Sequence, residues 1–436
     1  MKKVRVGVLG AYRGNSMIHF CRLSDNAEIV AICDKWEEGL KKQQELNKNE
    51  NITYYTSFDE FINHDMDAVV LANYANEHAP FAIRCLKAGK HVYSEVLPCQ
   101  NMKEAVELIE TIEETGLIYS YGENYCYMSG PYEMRRLYRE GKIGEFEYGE
   151  GEYVHNCEPS WHAITYGDPN HWRNRVMHSN FYCTHSIGPL IHITGLRPVS
   201  VVGFEGTKNE RRLRSGGLGG QFGIEMITLE NGGIIKSIHS DLYRDSIWYS
   251  VYGSKGRMET AREDADKAKW NKLYVNADEY SGQYGEEKPE VYEPKHELSK
   301  IAETYGHGGS DFYSMYYFIE KILGNKDADT IDIYEALDMF LPGHFAYRSV
   351  LAGNIPMEIP NLRNKEERDK WRNDTTCTDI NAAGDMYIPA FSKGNPDIPK
   401  EVYEAMKKKW DEEYKSGSGY VQAVYHSSED EEKKEE

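Results

Sequence analysis

The sequence predicts an α/β protein with two sheets, and two observations carry this expectation. From residue 1 to about residue 125, short apolar segments alternate with segments of helical periodicity. Repeated β-α units of this length imply parallel strands in a doubly wound sheet. From about residue 145, strand patterns separated by polar turns follow one another. That arrangement is typical of an antiparallel or mixed sheet.

The elements of the first half follow from apolar periodicity and turn residues. The predicted strands are, in order, VRVGVLG, AEIVAICD, ITYYT, DAVVLAN, GKHVYSE and LIYSYGE. The predicted helices between them are NSMIHFCRLSD, KWEEGLKKQQELNKN, a helix start in SFDEFINH, EHAPFAIRCLKAG and NMKEAVELIETIEETG. We therefore expect a first domain over residues 1–125.

The second half begins with the alternating segment EFEYGEGEYVHN and an irregular region that contains WHAITYGDPNHWRNR. Further predicted strands are PVSVVGFEG, GIEMITLENGGIIKSIHSD, WYSVYGSKGRMET and LYVNA; predicted helices are THSIGPLIHITG, SDFYSMYYFIEKILG and IYEALDMFLPGHFAYRSVLAG. Residues from about 354 onwards are polar and predicted to be irregular, ending in the acidic run SSEDEEKKEE, a solvated tail. We expect a second α/β domain over 126–355 and an extension over 356–436.

Composition and charge exclude several classes of function. A chain of 436 residues that is 40% hydrophobic can bury a large core, and its net charge of -20 argues against nucleic acid and anionic membranes as partners. No apolar run is long enough to span a bilayer. The eight cysteines lack metal-ligand spacing, which favours a reducing cytoplasm. Four histidines crowd residues 155–178, but their spacing matches no ligand pattern, so we expect no metal. We also expect a homo-oligomer.

A glycine loop and a carboxylate suggest a dinucleotide. Gly10 and Gly14 follow the first strand and open a helix, although one glycine of the usual fingerprint is replaced and the loop is a residue short. Asp34 ends the second strand, where a carboxylate accepts hydrogen bonds from the adenosine ribose and repels a 2'-phosphate. The alternatives are an ordinary strand-helix turn and an Asp34 that caps the next helix. Together these residues predict NAD rather than NADP.

The segment EHAPFAIRCLKAGKHVYSE resembles the signature of the Gfo/Idh/MocA family of NAD(P)-dependent sugar oxidoreductases. This resemblance implies a Rossmann domain followed by an α/β domain with a large open, mostly antiparallel sheet, with the nicotinamide between them. The cofactor-binding residues that it implies are Gly10, Tyr12, Arg13, Gly14, Asp34, Asn73, His78, Glu95 and Asn124.

Two positions depart from the pattern of that family. Most members carry Glu-Lys-Pro at the end of the fifth strand, and their lysine assists proton removal; here Val96 follows Glu95. A second pattern places Asp three residues after a histidine; here Gly188 follows His185 at that spacing. Either the chain is inactive as a dehydrogenase or other residues perform the acid-base chemistry.

Six segments support the second option. SEVLPCQ, GENYCYM, GEGEYVHN, HWRNR, YCTHSIGP and GHGGSDF resemble, in this order, motifs of NAD-dependent glycosidases of the α-N-acetylgalactosaminidase type, glycoside hydrolase family 109. The resemblance implies that NAD is not consumed. The sugar is oxidised at C3, a C2 proton is removed, the C1 substituent is eliminated, water adds and the hydride returns.

The residues expected to carry this chemistry lie in those segments. Imidazole takes and gives protons near neutral pH, so His185 is the predicted base; it could instead be a helix-start residue that bonds to the backbone. The other predicted catalytic residues are Tyr182, Glu123 and Tyr153, and the predicted substrate-binding residues are Arg173, Trp172 and His307. His307 could equally lie in a plain glycine loop.

Three functions remain open from the sequence. The leading one is redox-assisted cleavage of glycosides, with a carbohydrate as substrate. The second is a net sugar dehydrogenase or ketoreductase. The third is a non-enzymatic NAD-binding regulator, suggested by the missing lysine, although a sensor would not need Tyr182, His185 and Glu123 together.

Overall fold

Two sheets organise the computed structural model, which describes residues 3–48, 50–263, 272–277 and 289–419. The first sheet has six strands in the order β3-β2-β1-β4-β5-β6, and all neighbouring strands are parallel. The strands are β1 (Val4–Leu9), β2 (Ala27–Cys33), β3 (Thr53–Tyr55), β4 (Ala68–Leu71), β5 (His91–Ser94) and β6 (Tyr119–Tyr121). This is the doubly wound order of dinucleotide-binding domains, so the predicted parallel sheet is confirmed.

Helices connect these strands as the periodicity predicted: α1 (Asn15–Leu23), α2 (Glu37–Leu46), α3 (Phe58–Phe61), α4 (His78–Lys87) and α5 (Met102–Thr115). Helix α5 shows why the local sequence specifies them. The side chain of Asn101 accepts a hydrogen bond from the backbone N–H of Glu104 at 2.9 Å, and Gly116 ends the helix in the left-handed conformation. Its apolar face, which includes Ala105 and Ile109, is fully buried.

The second sheet has nine strands in the order β14-β13-β12-β11-β7-β10-β9-β8-β15. They are β7 (Phe146–Val154), β8 (Pro198–Glu205), β9 (Phe222–Leu229), β10 (Ile234–Ser240), β11 (Ser246–Gly253), β12 (Gly256–Thr260), β13 (Leu273–Asn276), β14 (Glu290–Tyr292) and β15 (Met357–Glu358). Only the pairing of β7 with β10 is parallel among these described strands. The expected large, mostly antiparallel sheet is therefore confirmed.

The helices of the second half are α6 (Ser129–Arg139), α7 (Trp161–Ile164), α8 (Trp172–Arg175), α9 (Thr184–Thr194), α10 (Glu210–Arg214), α11 (Ser299–Ala302), α12 (Ser310–Ile322) and α13 (Ile333–Leu351). Helices α9 and α13 pack on one face of that sheet, α6 contacts its strand β12, and α12 packs against α1 of the first domain. Glycines allow the close approach: a Cβ on Gly151 would lie 1.9 Å from the carbonyl oxygen of Ser186 on α9, and one on Gly203 would lie 2.1 Å from that of Ala346 on α13. Both helices are thereby held against the sheet, and α9 carries His185.

The expectation of an irregular C-terminal stretch is wrong for part of it. Residues after β15 form α14 (Lys365–Trp371), α15 (Ile380–Ala383) and the seventeen-residue α16 (Lys400–Ser416). Helix α16 buries Tyr403, Met406 and Trp410, which stand at helical spacing among lysines and glutamates. The acidic run over residues 427–436 lies outside the described residues. The irregular region around residues 161–175 also contains the two short helices α7 and α8.

In the part of the chain that the structure describes, no helix combines the length and the apolar composition that a membrane span requires.

All eight cysteines are free thiols, and burial raises the pKa of Cys21 and Cys33 to about 12. Such thiols stay protonated at neutral pH, so they are poor nucleophiles and poor metal ligands.

Candidate active site

A cleft of about 580 Å³ lies beyond the carboxyl ends of strands β1, β2, β4 and β5. Ligands of open α/β sheets bind at this edge. The first domain contributes Gly10, Asp34, Asn73 and Glu95 to the lining; the second half contributes, among others, Trp172, Arg173 and Tyr182. Predicted cofactor residues and predicted substrate residues thus face one another across the same space.

The glycine loop leaves bare backbone at the start of helix α1. Gly10 has a φ of 107°, and a Cβ there would lie 2.4 Å from the carbonyl oxygen of Ala72. Gly14 stands at the N-cap of α1, and a Cβ on it would lie 2.3 Å from the carbonyl oxygen of Gly10. No side chain fits at either position, so the shortened loop still presents the helix N-terminus that a pyrophosphate requires.

The Asp34 carboxylate lines the cleft and holds the loops on both sides of it. Its oxygens accept hydrogen bonds from the backbone N–H groups of Ala11 at 2.7 Å and Trp36 at 2.9 Å. Burial raises the pKa of Asp34, and these two N–H groups oppose the shift. A carboxylate offers about four acceptor positions, so lone pairs remain for ribose hydroxyls. Asp34 does not cap helix α2, whose N-cap residue is Trp36.

The remaining predicted cofactor residues divide into two groups. Tyr12, Arg13, Asn73 and Glu95 line the cleft. His78 lies behind its wall, fully buried, with ring nitrogens 2.9 Å from the carbonyl oxygen of Leu97 and 3.3 Å from that of Asn73.

Asn124 is also buried outside the lining and donates to Asp311 Oδ1 at 2.8 Å. His78 and Asn124 therefore support the residues of the cleft, while the cleft itself fits NAD. The bare backbone at α1, the carboxylate of Asp34 and the buried Asn73 Oδ1, which has no hydrogen-bond partner among the described residues, match the pyrophosphate, the ribose and a donor group of the cofactor.

His185 is the centre of a buried proton-carrying chain. Its Nδ1 lies 2.5 Å from Glu123 Oε1, and its Nε2 lies 3.3 Å from the hydroxyl of Tyr182. An ionised carboxylate only accepts hydrogen bonds, so the proton of a neutral imidazole resides on Nδ1 and Nε2 is left to accept. His185 is 5% exposed and Glu123 is fully buried, whereas Tyr182 reaches the cleft.

The local fold explains why His185 is held so firmly. It is the second residue of α9, and its backbone carbonyl accepts a hydrogen bond from the Tyr249 hydroxyl at 2.5 Å. The rings of Tyr125 and Tyr153 lie 4.4 Å and 4.6 Å from the imidazole, measured between centroids. Its orientation is thereby fixed from two sides, which a general base requires.

Gly188 makes room for the carboxylate partner of His185. A Cβ on Gly188 would lie 2.8 Å from Glu123 Cγ. An aspartate at this position, as in the pattern from which the sequence departs, would displace Glu123. The buried carboxylate beside His185 therefore comes from the end of the first domain instead of from helix α9.

Arg173 is stacked between two aromatic rings at the mouth of the cleft. Its guanidinium carbon lies 4.4 Å from the ring centroid of Trp172 and 4.9 Å from that of Tyr182. Burial raises the pKa of Tyr182, and Arg173 opposes the shift. Val96 lines the same cleft at the position where the family pattern has lysine, and Tyr182, Arg173 and Glu95 are among the polar groups that line it.

A second buried network involves Asp311, which the sequence reasoning missed. Arg13 donates to both oxygens of Asp311 at 3.1 Å and lies 2.7 Å from Glu95 Oε1. His307 Nδ1 lies 3.1 Å from Asp311 Oδ2, so the predicted substrate residue stands at the edge of this network in a left-handed turn with a φ of 55°. Asp311 belongs to the quoted segment GHGGSDF, and that was the available signal.

The sequence reasoning also missed the aromatic residues at the far end of the cleft. Trp36, Tyr166 and Trp410 line it there. Trp410 belongs to the overlooked helix α16, whose apolar spacing was the signal. No group of three or more histidine, cysteine or acidic side chains within the described ranges is placed to hold a metal ion.

A doubly wound sheet with this glycine loop and carboxylate defines a dinucleotide-binding protein. Residues 4–123 match the model of the oxidoreductase family with an NAD-binding Rossmann fold, and residues 224–373 match that of the glycosyl hydrolase 109 C-terminal domain. The chain therefore carries one segment that matches the NAD-binding domain of the Gfo/Idh/MocA oxidoreductases and a second that matches the C-terminal domain of glycosyl hydrolase family 109. The resemblance predicted from the motifs is confirmed.

Individual relatives agree with this assignment. A glycosyl hydrolase family 109 protein of Solibacter usitatus is 28% identical over 403 residues, which cover 85% of this chain and 89% of that protein. One of Saccharopolyspora erythraea is 24% identical over 408 residues, covering 85% and 84%. Among solved structures, an oxidoreductase of Agrobacterium radiobacter in complex with NAD+ shares the fold with a TM-score of 0.65 at 14% identity, covering 82% of this chain and 98% of that one.

Proposed function

We propose that this protein is an NAD-dependent carbohydrate-active enzyme that cleaves glycosides by transient oxidation at sugar C3. The observation that carries the proposal is the chain Glu123–His185–Tyr182, which reaches the cleft through Tyr182. Val96, at the position of the family lysine, lines the same cleft, and the buried imidazole of His185 can act as the base that this lysine would otherwise assist. The names of the family 109 relatives support hydrolysis of a glycoside as the net reaction.

NAD bound in the cleft would supply the hydride acceptor for C3 and would return the hydride after cleavage. The protein must then move protons. His185 Nε2 takes the proton of the C3 hydroxyl through the Tyr182 hydroxyl, which lies 3.3 Å away and reaches the cleft. Glu123 stabilises the imidazolium that forms, because its carboxylate already bonds to Nδ1. Returning the same proton at the end of the cycle restores the starting state.

Elimination needs a second proton acceptor for the sugar C2. A C3 ketone makes the C2–H bond acidic, so a tyrosinate or a neutral imidazole can accept this proton. Tyr153, whose ring lies 6.0 Å from that of Tyr182, acts here only after it has given up its own phenolic proton; burial raises its pKa, and Arg173 opposes that shift. Arg173 is placed to bind sugar oxygens with its planar fork of donors. No pair of carboxylates of the kind used by ordinary glycosidases is required.

Incubation of the purified protein with aryl glycosides, without added cofactor, tests the proposal. Phenol release without net formation of NADH is the expected result. NADH that accumulates in proportion to substrate would instead establish a net sugar dehydrogenase. Cofactor binding without any turnover over a panel of glycosides would favour a regulator.

The same reaction in heavy water tests the elimination step. If the C2 proton is lost to a base and replaced from solvent, the released sugar carries deuterium at C2. Cleavage without deuterium at C2 would rule out elimination and favour direct displacement of the leaving group.

We further propose that the protein works in the cytoplasm as a homo-oligomer. Its free, buried cysteines suit a reducing compartment. The face of the second sheet opposite α9 and α13 exposes Phe204, Met226, Ile234 and Tyr252, an apolar surface suited to a second copy of the chain. Sedimentation analysis of a Phe204→Glu, Met226→Glu variant tests this: a monomer is expected, and an unchanged oligomer would place the interface elsewhere.

A further inference from the structure

We propose that helix α16 is a clamp on the adenosine half of bound NAD, with Trp410 as its contact residue. The Asp34 carboxylate marks the adenosine end of the cleft, because it is placed to bind the ribose. Trp410 and Lys407 of α16 line the same cleft, although they lie more than 370 positions further along the chain. A segment remote from the first domain thus closes its cofactor site.

Aromatic rings converge where the adenine must lie. The ring of Trp410 is 5.3 Å from that of Tyr166 and 6.3 Å from that of Trp36, measured between centroids. Trp36 follows Asp34 by two residues and stacks on Tyr166 at 5.9 Å with an angle of 29°. A purine is a flat aromatic ligand, and stacking on such rings is its usual mode of recognition. The walls of this end therefore match the base of the cofactor.

Helix α16 is anchored to the second half of the chain. Gly167 has a φ of 61°, and a Cβ on it would lie 2.5 Å from Lys407 Cα, so the two backbones are in contact. The Tyr403 hydroxyl donates to the carbonyl oxygen of Gly216 at 2.7 Å, and His162 Nε2 lies 2.9 Å from a carboxylate oxygen of Glu413. The helix cannot move as one piece without breaking these contacts.

This anchoring has a kinetic consequence for the cofactor. NAD held between the first domain and α16 must lose its contacts with Trp410 before it leaves the cleft. A clamp of this kind slows dissociation and strengthens binding without contacting the reacting atoms. It acts on binding of the cofactor whether or not the protein cleaves glycosides.

The test compares cofactor-free Trp410→Ala with wild type by calorimetric titration with NAD and with ADP-ribose, which lacks the nicotinamide. Loss of one aromatic stacking partner weakens binding by about 5- to 150-fold, the equivalent of 1–3 kcal/mol. The expected loss is equal for both ligands. The matched control is Lys408→Ala, a change on the exposed side of the same helix that leaves both affinities unchanged.

A second variant separates the clamp from the ring itself. Gly167→Ala keeps Trp410, but the added methyl group would push α16 away from the backbone at residue 167. NAD is therefore expected to dissociate faster from this variant in a chase experiment. Circular dichroism and thermal unfolding show whether each variant is folded. If Trp410→Ala is not folded, the binding measurements on Gly167→Ala and Trp410→Phe test the proposal in its place.

Two results would overturn the proposal. The first is unchanged affinity for NAD and ADP-ribose in the folded variants. The second is a loss for NAD without one for ADP-ribose, which would place Trp410 at the other end of the cofactor. Because no turnover is measured, failure of the glycosidase proposal leaves this test unaffected.

Discussion

Two hydrogen-bonded pairs, each with a buried carboxylate, join the halves of this molecule, and the first domain plays a different part in each. In one, Arg13 of the glycine loop binds Asp311 of helix α12. In the other, Glu123 at the end of the first domain binds His185 of helix α9. The first domain supplies the cation of one pair and the carboxylate of the other. Both pairs lie beside the cleft, but their chemistry differs.

The difference lies in which partner can change its charge. A guanidinium stays protonated at any physiological pH, so Arg13 and Asp311 form a permanent pair. Burial raises the pKa of Asp311, but Arg13 and His307 more than offset this and hold it well below the ordinary range. The two ring nitrogens of a histidine can donate one proton and accept another, so the pair of Glu123 and His185 can take part in proton transfer. The pair of Arg13 and Asp311 therefore has a structural role, whereas the pair of Glu123 and His185 has a role in the proposed reaction.

The largest predicted effect is on turnover, and it is expected when the pair of Glu123 and His185 is broken. Replacing His185 by Ala removes the proposed base, so turnover of an aryl glycoside should fall by about 10²- to 10⁴-fold while NAD binding remains nearly intact. Steady-state assays and calorimetric titration measure both quantities.

The matched control for this variant is His192→Ala. His192 is a buried histidine of the same helix whose Nδ1 lies 2.6 Å from Glu335 Oε1, away from the cleft. Its loss should lower stability without a comparable loss of turnover. Near-normal turnover of His185→Ala would make His185 structural, and loss of NAD binding would contradict the division of labour between the two domains.

Breaking the pair of Arg13 and Asp311 should instead lower the stability of the folded protein. Asp311→Asn leaves Arg13 with Glu95 as its remaining carboxylate partner, so the free energy of unfolding at neutral pH should fall by about 1–3 kcal/mol. A depressed carboxyl pKa stabilises the fold above its ordinary value of 3.8, and this contribution is lost as the pH falls below that value. Chemical denaturation at several pH values should show the two proteins converging in acid. A difference that stays constant down to pH about 2.5 would mean that the charge of Asp311 contributes nothing.

An effect of similar size is expected for cofactor selection, which concerns the first domain alone. Asp34→Ala should weaken NAD binding by about 1–3 kcal/mol, because ribose hydroxyls and the N–H groups of Ala11 and Trp36 lose their acceptor. The preference for NAD over NADP should narrow as well, since the repelling charge is gone. Titration of the cofactor-free protein measures both. Equally tight binding of NADP and NAD by the wild type would remove the basis of this assignment.

The sequence predicted the first domain well because its signals are local. Strand and helix periodicity, the loop from Gly10 to Gly14 and Asp34 each involve neighbouring residues. The pairing of Glu123 with His185 spans 62 positions, and only the resemblance of their segments to known motifs pointed to both. Asp311 stood in such a segment but its partner Arg13 lies 298 positions away, so nothing local indicated the pair.

Helix α16 was missed for a different reason. Only three of its apolar residues, Tyr403, Met406 and Trp410, are buried over its 17 residues, and lysines and glutamates dominate the rest. Whether a segment of this composition forms a helix depends on the surface against which its narrow apolar face packs. That surface comes from residues around Trp161 and Gly167, which the sequence showed only as an irregular region.

The smallest predicted effect tests whether the position of Glu123 matters as well as its presence. In Gly188→Ala the added methyl group would lie 2.8 Å from Glu123 Cγ and 3.3 Å from Met339 Sδ. Met339 can adjust, but Glu123 is held by its bond to His185, so the new atom must lengthen that contact. Overpacking of this kind costs about 1 kcal/mol of stability, and turnover should fall because the imidazole loses its orienting partner.

Gly195→Ala is the control for this last variant, at the end of the same helix. Its φ of 66° makes a side chain unfavourable by about 1 kcal/mol, yet no atom lies within 4 Å of the added Cβ. The two variants should therefore lose similar stability in thermal unfolding, while only Gly188→Ala loses turnover. Equal turnover in both would mean that Glu123 tolerates displacement. Gly188 would then be a packing residue, and the missing aspartate of the related dehydrogenases would have no replacement in Glu123.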